Sequence, residues 1–241
     1  MPAPIKRIVV ADPAALAATA AEHLLARIEA NTGRVAICLT GGSSPKQLYQ
    51  LLATDAYAKR IPWDRVHWFI GDERFVSSTD PLNNMAMARK IFLDRLAPQD
   101  RIHPIPTDAA SPDESAQRYE RELKIFYGAD DLDPKRPLFD VVLMGLGPDG
   151  HTASLFPGYP AVAEMKRWVT GVPQAHVEPF VPRVTLTLPA LASCRKMLFE
   201  VAGHEKRAIL DKLSKDESLP ANQARSLDET VLLVDRAAVG E

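Results

Sequence analysis

One histidine stands where a general base would be useful. His151 follows Gly150 in the segment Gly145-Leu-Gly-Pro-Asp-Gly-His, which comes directly after the apolar run Phe139–Met144. A histidine presented by a tight glycine turn at the end of a strand can accept a proton from water near neutral pH. A lone histidine is more often structural, but this setting favours a base. We therefore predict a catalytic group of His151 with Asp149, two residues earlier.

The same segment matches the glycine spacing of a dinucleotide-binding loop, through Gly145, Gly147 and Gly150. That fold also needs an acidic residue about 20 positions further on, at the end of a second strand. Here the corresponding region is broken by prolines after Pro157, and His151 occupies the place where backbone would bind pyrophosphate. We reject the dinucleotide interpretation and expect no cofactor.

A second glycine turn joins an apolar run to a helical pattern. Paired glycines let the backbone approach a ligand, Ser44 can cap the helix, and Pro45 favours its first turn. The free N–H groups of such a helix start can bind phosphate. The alternative interpretation is a glycine turn that only connects the strand to the helix. The predicted phosphate-binding residues of this turn are Thr40, Gly41, Gly42 and Ser43.

Charged residues follow the apolar run Val66–Ile70 as Gly71-Asp72-Glu73-Arg74. Open parallel sheets bind ligands at the carboxyl ends of their strands. Asp72 is therefore a candidate catalytic residue and Arg74 a candidate ligand-binding residue, although a solvated turn is also often charged. Arg183 and Lys206 are two further cations that could hold a phosphate, and each alone is more often a surface charge.

Composition excludes several classes of partner. The 241 residues are 46% hydrophobic and 25% charged, and the formal net charge is -2. Because no global positive field exists, we expect no nucleic-acid partner. Neither a signal peptide nor an apolar run of about 18 residues is present. Two cysteines, with Cys38 in an apolar run, fit a reducing compartment, so we expect a cytoplasmic protein with no membrane partner.

Sequence motifs of other hydrolases are absent. The chain has no G-x-S-x-G, no H-E-x-x-H and no paired cysteine and histidine spacing for zinc. We therefore predict no metal site, and hydrolysis without a cofactor remains as an interpretation.

Short apolar runs alternate with helical patterns, as in an α/β fold with crossover connections. The stretch Pro157–Pro182 is too long for an idle loop and is expected to cover one side of a cleft. The alternating run Arg183–Leu188 is expected to be an edge strand or to line a site. The other predicted strands are Ile5–Val10, Arg34–Leu39, Val66–Ile70, Phe139–Met144, Met197–Val201 and Val231–Val234. The predicted helices are Pro13–Ala30, Pro45–Ala53, Asn83–Leu96, Ser111–Gly128 and Glu205–Leu213.

Four motifs together resemble those of 6-phosphogluconolactonases. They begin at Thr40, Gly71, Gly145 and Arg183, and the third, with Gly-Pro-Asp-Gly-His-Thr-Ala-Ser-Leu-Phe, is the most specific. The related glucosamine-6-phosphate deaminases typically carry Asp-Glu-Tyr and Gly-His-x-Ala-Phe-Asn-Glu, from which this chain departs at Arg74 and after Ala153.

The resemblance implies a modified doubly wound, Rossmann-like and mostly parallel sheet flanked by helices, as a single domain over residues 1–241. It implies a sugar-phosphate lactone as the small-molecule substrate, in the pentose phosphate pathway, and we expect a monomer. It also assigns residue roles. His151 is the base, Arg74 lies near the sugar or phosphate, and the phosphate ligands are Gly42, Ser43, Arg183 and Lys206.

The predicted reaction is attack of a water, deprotonated by His151, on the lactone carbonyl. Two alternatives stay open at this stage. One is a sugar-phosphate isomerase or deaminase on the same scaffold, and the other is a sugar-phosphate sensor without catalysis.

Overall fold

A seven-stranded parallel sheet runs through the middle of the molecule. The computed structural model describes residues 5–241. The strands, in spatial order β1-β10-β9-β6-β2-β3-β5, are all parallel to their neighbours. They are β1 Ile5–Val10, β2 Val35–Leu39, β3 Val66–Ile70, β5 Ile102–His103, β6 Phe139–Met144, β9 Cys194–Val201 and β10 Glu229–Asp235. The predicted α/β fold with a mostly parallel sheet is confirmed.

The continuous apolar runs form the central strands. Every residue of β2 and of β6 is buried, as expected for strands that are covered by packed elements on both faces. The predicted strand ends agree with the structure to within a few residues. The largest difference is at β9, which begins at Cys194 instead of Met197.

Helices flank this sheet. The longest, α1, begins after Asp12, whose side chain accepts a hydrogen bond from the N–H of Ala15. Helix α6 begins after Ser111 in the same way and ends at Tyr127, where Gly128 with φ +79° forms the C-cap. The α-helices are α1 Pro13–Ala30, α2 Ser44–Leu52, α3 Asp55–Ala58, α4 Asn84–Ala88, α5 Asp94–Leu96, α6 Pro112–Tyr127, α7 Leu188–Ala192, α8 Arg207–Leu213, α9 Pro220–Gln223 and α10 Arg236–Val239.

Two helix predictions need correction. The expected helix Asn83–Leu96 is divided by a π-helical segment, Arg89–Leu93, which separates α4 from α5. Ser44 does not cap α2, because it is already inside the helix. Ser43 takes the cap position, and its side chain makes no capping hydrogen bond.

A second, smaller sheet is antiparallel and has three strands. They are β4 Asp72–Arg74, β7 Val169–Val172 and β8 Arg183–Leu186, in the order β4-β8-β7. Of the two alternatives for Arg183–Leu188, the edge strand is wrong, whereas the strand that lines a site is confirmed at Arg183, which lines a cavity. The strand is the central one of this sheet, and it ends at Leu186 because Thr187 is the N-cap of α7.

The chain leaves two neighbouring strands in opposite directions. From β2 it continues to β3 and β5, whereas from β6 it continues to β9 and β10. Open α/β sheets bind ligands in the crevice that such a reversal leaves at the carboxyl ends of the strands. The glycine turn at Gly41 follows β2, and the loop that carries His151 follows β6. Among the described residues, no helix has the length and apolar character needed to cross a membrane.

Candidate active site

A cavity of about 190 Å³ lies at this crevice. Seven residues predicted from the sequence line it. They are Thr40, Gly41, Gly42, Asp72, Arg74, His151 and Arg183. Ser43, Asp149 and Lys206 do not line it. Further lining residues that sequence reasoning did not single out as site residues are Asn84, Gly145, Leu146, Gly147, Pro148, Thr152, Ala153, Val177 and Glu178.

His151 and Asp149 form a hydrogen-bonded pair. The Nδ1 of His151 lies 2.5 Å from Oδ1 of Asp149, and the same oxygen accepts the backbone N–H of His151 at 3.1 Å. Burial disfavours the charged form of Asp149, but the hydrogen bonds and charge of His151 hold the pKa of this carboxyl well below its usual range. Because the ionised carboxylate can only accept hydrogen bonds, the Nδ1 atom of His151 is the protonated nitrogen. Nε2 therefore carries the free lone pair.

Gly147 fixes the position of the imidazole. A Cβ atom at residue 147 would lie 2.0 Å from both Nδ1 and Cε1 of His151. The N–H of Gly147 also donates to the carbonyl of His151 at 2.9 Å, and the buried Phe156 ring packs on the imidazole with centroids 4.8 Å apart. Only glycine leaves room for this ring position. No helix follows Gly150, since Thr152 and Leu155 form an isolated bridge, so the arrangement of a dinucleotide loop is not formed.

Two arginine side chains lie on the same face of the smaller sheet. Arg74 and Arg183 are direct partners in the β4-β8 register, which places their side chains on the same face. Burial and the neighbouring Arg74 lower the pKa of Arg183, whereas the carboxylate of Asp72 raises it. Arg183 is only 4% exposed, and its Nη2 donates to the carbonyl of Pro179 at 2.8 Å. The Nε of Arg74 is buried without a partner among residues 5–241.

This pair of cations, a buried Arg183 and a half-buried Arg74 with an unused Nε donor, suits an anion. Arginine binds the oxygens of phosphate through its planar set of N–H donors. The carboxylate of Asp72, 6% exposed, lies nearby and accepts the hydroxyl of Ser154 at 2.6 Å.

Asn84 lies between two predicted site residues. Its Nδ2 donates to the carbonyl of Asp72 at 3.0 Å, and its side chain lies so close to Gly41 that a Cβ there would be 2.1 Å from Oδ1. Glu73 holds Asn84 in place by accepting its backbone N–H at 2.6 Å and that of Met85 at 2.9 Å. Burial raises the pKa of Glu73 to about 7, against the lowering effect of these backbone N–H groups. The only sequence signal for Asn84 is its place at the start of a predicted helix.

The glycine turn after β2 offers backbone donors to the cavity. Gly42 has φ +101°, a conformation that favours glycine. The N–H groups of Gly41 and Gly42 donate to no other residue in the described part of the chain. Ser43 starts α2 with an exposed side chain outside the cavity lining.

Lys206 lies beside the cavity without lining it. Its Nζ donates to the carbonyl of Leu146 at 2.7 Å, on the side of the cavity formed by the His151 loop. A phosphate contact of Lys206 stays a prediction.

The stretch Pro157–Pro182 covers one side of the cavity, as predicted. Val177 and Glu178 belong to the lining, and the neighbouring His176 places its Nε2 2.9 Å from Oδ2 of Asp149. The stretch also contains β7, which the sequence did not indicate.

Comparison with known proteins decides the family. A model described as glucosamine-6-phosphate isomerases/6-phosphogluconolactonase matches residues 11–233. The chain belongs to this family. It is 40% identical to a 6-phosphogluconolactonase of Synechocystis over 87% of this chain and 85% of that protein. It is 37% identical to a 6-phosphogluconolactonase of Nostoc over 97% of this chain and 96% of that protein.

A solved structure of the family has the same fold over its whole length. The 6-phosphogluconolactonase of Thermotoga maritima superposes with a TM-score of 0.83 at 28% identity, over 96% of this chain and 100% of that chain. The family resemblance expected from the four motifs is confirmed. Residues 5–241 contain no group of three or more His, Cys, Asp or Glu side chains arranged to hold a metal ion.

Proposed function

We propose that the protein hydrolyses 6-phospho-D-glucono-1,5-lactone to 6-phosphogluconate, a reaction of the pentose phosphate pathway. One observation carries the proposal. A histidine oriented by a carboxylate and two guanidinium groups, one buried and one half-buried, line the same cavity. The first is suited to activate water, and the second is suited to hold a phosphate. The names of the relatives at 37–40% identity support the same substrate.

The phosphate binds between Arg74 and Arg183 and accepts hydrogen bonds from the free amides of Gly41 and Gly42. Charge-assisted hydrogen bonds of this kind contribute about 1.5–3 kcal/mol each. Because the dianion is held at several points, the rest of the sugar has few orientations left. Phosphate binding then contributes to turnover as well as to affinity.

The base is the Nε2 atom of His151. It takes a proton from water as the water oxygen attacks the lactone carbonyl, which gives a tetrahedral intermediate and an imidazolium. The bond between the carbonyl carbon and the ring oxygen then breaks, and the departing C5 oxygen takes the proton back from Nε2. Asp149 holds the required tautomer and stabilises the transient imidazolium.

The test is acid release from freshly generated 6-phosphogluconolactone, with the spontaneous rate subtracted. His151→Ala should lower turnover by roughly 10²–10⁴-fold, the range for a positioned general base, while binding of 6-phosphogluconate persists. His204→Ala is the matched control, because the side chain of His204 is 88% exposed. It should keep wild-type turnover.

Two results would contradict the proposal. If His151→Ala hydrolyses the lactone at the wild-type rate, the base must be sought at Asp72 or Asp149. If the wild-type protein binds the lactone without turnover, or moves solvent deuterium onto a substrate carbon, it is a sensor or an isomerase instead.

We further propose that the protein acts as a monomer in the cytoplasm, without a nucleic-acid partner. Its two cysteines are buried free thiols, which fits a reducing compartment. Light scattering of the purified protein tests the monomer.

A further inference from the structure

The carboxylate of Asp149 is shared between two histidines. Its Oδ1 lies 2.5 Å from Nδ1 of His151, and its Oδ2 lies 2.9 Å from Nε2 of His176. An ionised carboxylate only accepts hydrogen bonds, so both imidazoles donate to it. His176 is thus the second of two side chains that fix the orientation of this carboxylate.

Aromatic rings fix the position of His176. Its ring packs against Phe156, with centroids 5.0 Å apart at 67°, and against Tyr159, with centroids 5.2 Å apart. Phe156 packs on the His151 ring as well. One buried phenylalanine therefore supports both histidines of the Asp149 cluster.

His176 also connects two parts of the cavity wall. It directly precedes Val177 and Glu178, which line the cavity from the connection between β7 and β8. Asp149 lies in the loop that follows β6. The hydrogen bond between His176 and Asp149 therefore joins the covering segment to the loop of the base.

We propose that His176 is a positioning residue for the base. By donating a hydrogen bond to Asp149, His176 fixes the carboxylate that orients His151. The negative charge of Asp149 is then shared between the two histidines. This inference rests on the proposed role of His151. It assigns a function to an exposed loop histidine that makes no contact with the reacting atoms.

Removing the donor of His176 has two expected consequences. The carboxylate of Asp149 becomes freer to rotate, so the imidazole of His151 is less well oriented and kcat falls. The carboxylate also interacts more strongly with a protonated His151, because its charge is no longer shared. A proton is then held on His151 up to a higher pH, and the acid limb of the rate profile moves upward. Other charged or titratable side chains around this cluster are Asp72, Arg74, Tyr159, Glu178, Arg183 and Lys206.

A pair of variants separates the hydrogen bond from the packing. His176→Phe keeps an aromatic ring against Phe156 and Tyr159 but has no donor, whereas His176→Gln keeps an N–H donor. We expect His176→Phe to lower kcat roughly tenfold, the size of one hydrogen bond to a charged group, and to move the acid limb of kcat to higher pH. His176→Gln should stay near the wild type in both quantities. Equal impairment of the two variants, or a wild-type profile for His176→Phe, would overturn the proposal.

A titration without substrate keeps this inference separate from the proposed function. The NMR signal of the His151 ring, assigned by its loss in His151→Ala, should titrate at a higher pH in His176→Phe than in the wild type. If His151→Ala keeps full activity, the proposed mechanism fails while this titration still reports the coupling. An unchanged titration shows that His176 does not act on His151. In an Asp149→Asn background, His176→Phe should have no further effect on kcat, and a further loss would contradict coupling through Asp149.

Discussion

Glu200 gives a quantitative prediction for stability. It lies in β9, between β6 and β10, is 1% exposed, and neither of its carboxylate oxygens has a hydrogen-bond partner among residues 5–241. Burial raises the pKa of this carboxyl from 4.5 to about 8. Between these two values the folded state binds a proton that the unfolded state has released, so stability falls as the pH rises.

The size of the effect follows from the two pKa values. Each pH unit between them costs about 1.4 kcal/mol. At pH 7 the free energy of unfolding of the wild type should therefore be about 3 kcal/mol lower than below pH 4.5. Above pH 8 this decrease should level off at about 5 kcal/mol. Glu200→Gln keeps the shape of the side chain but cannot ionise. We expect it to be more stable than the wild type by about 3 kcal/mol at pH 7 and nearly equal to it at pH 4.5.

The measurement is the free energy of unfolding by urea at several pH values, for the wild type and Glu200→Gln. The difference between the two curves isolates this carboxyl, because Glu73 and the histidines titrate in both proteins. Parallel curves between pH 5 and pH 8 would refute the reasoning. They would mean that Glu200 has a partner or access to water in the folded protein.

Two further predictions concern the cavity. Gly147→Ala should displace the His151 ring, since the added Cβ has no room beside Nδ1. Turnover should fall at least tenfold while binding of 6-phosphogluconate persists. Wild-type turnover would show that the ring position is not critical. Arg183→Lys should weaken binding of 6-phosphogluconate, measured by calorimetry, by about 1.5–3 kcal/mol. Hydrolysis of unphosphorylated gluconolactone should stay nearly unchanged. An equal loss for both ligands would place the phosphate elsewhere.

The sequence predicts most of the large sheet because burial on both faces leaves a strong pattern. Runs such as Val66–Ile70 and Phe139–Met144 are almost wholly apolar, and the structure gives them the same bounds. The smaller sheet leaves a weaker pattern. Asp72–Arg74 is a strand of three charged residues, and such a sequence is typical of a turn. It forms a strand because it pairs with β8. Short strands that depend on a distant partner carry little local signal.

The same limit applies to the site. Sequence motifs indicated which loops meet, because the carboxyl ends of parallel strands share one edge of the sheet. They did not indicate that Arg74 lies directly opposite Arg183, since that depends on the register between β4 and β8. Asn84 and His176 were missed for a related reason. Both act through contacts with residues distant in the sequence, and neither lies in a recognisable motif.

The two sheets contribute different parts of the cavity. The large sheet presents His151 and the amides at Gly41, whereas the small sheet presents both guanidinium groups. The hydrogen bond between Asp72 and Ser154 joins the two parts at 2.6 Å. In the proposed binding mode, a phosphate held by the small sheet leaves its sugar in the cavity that His151 also lines. In this mode the affinity for phosphate would also orient the reacting carbonyl, so that binding energy contributes to the rate.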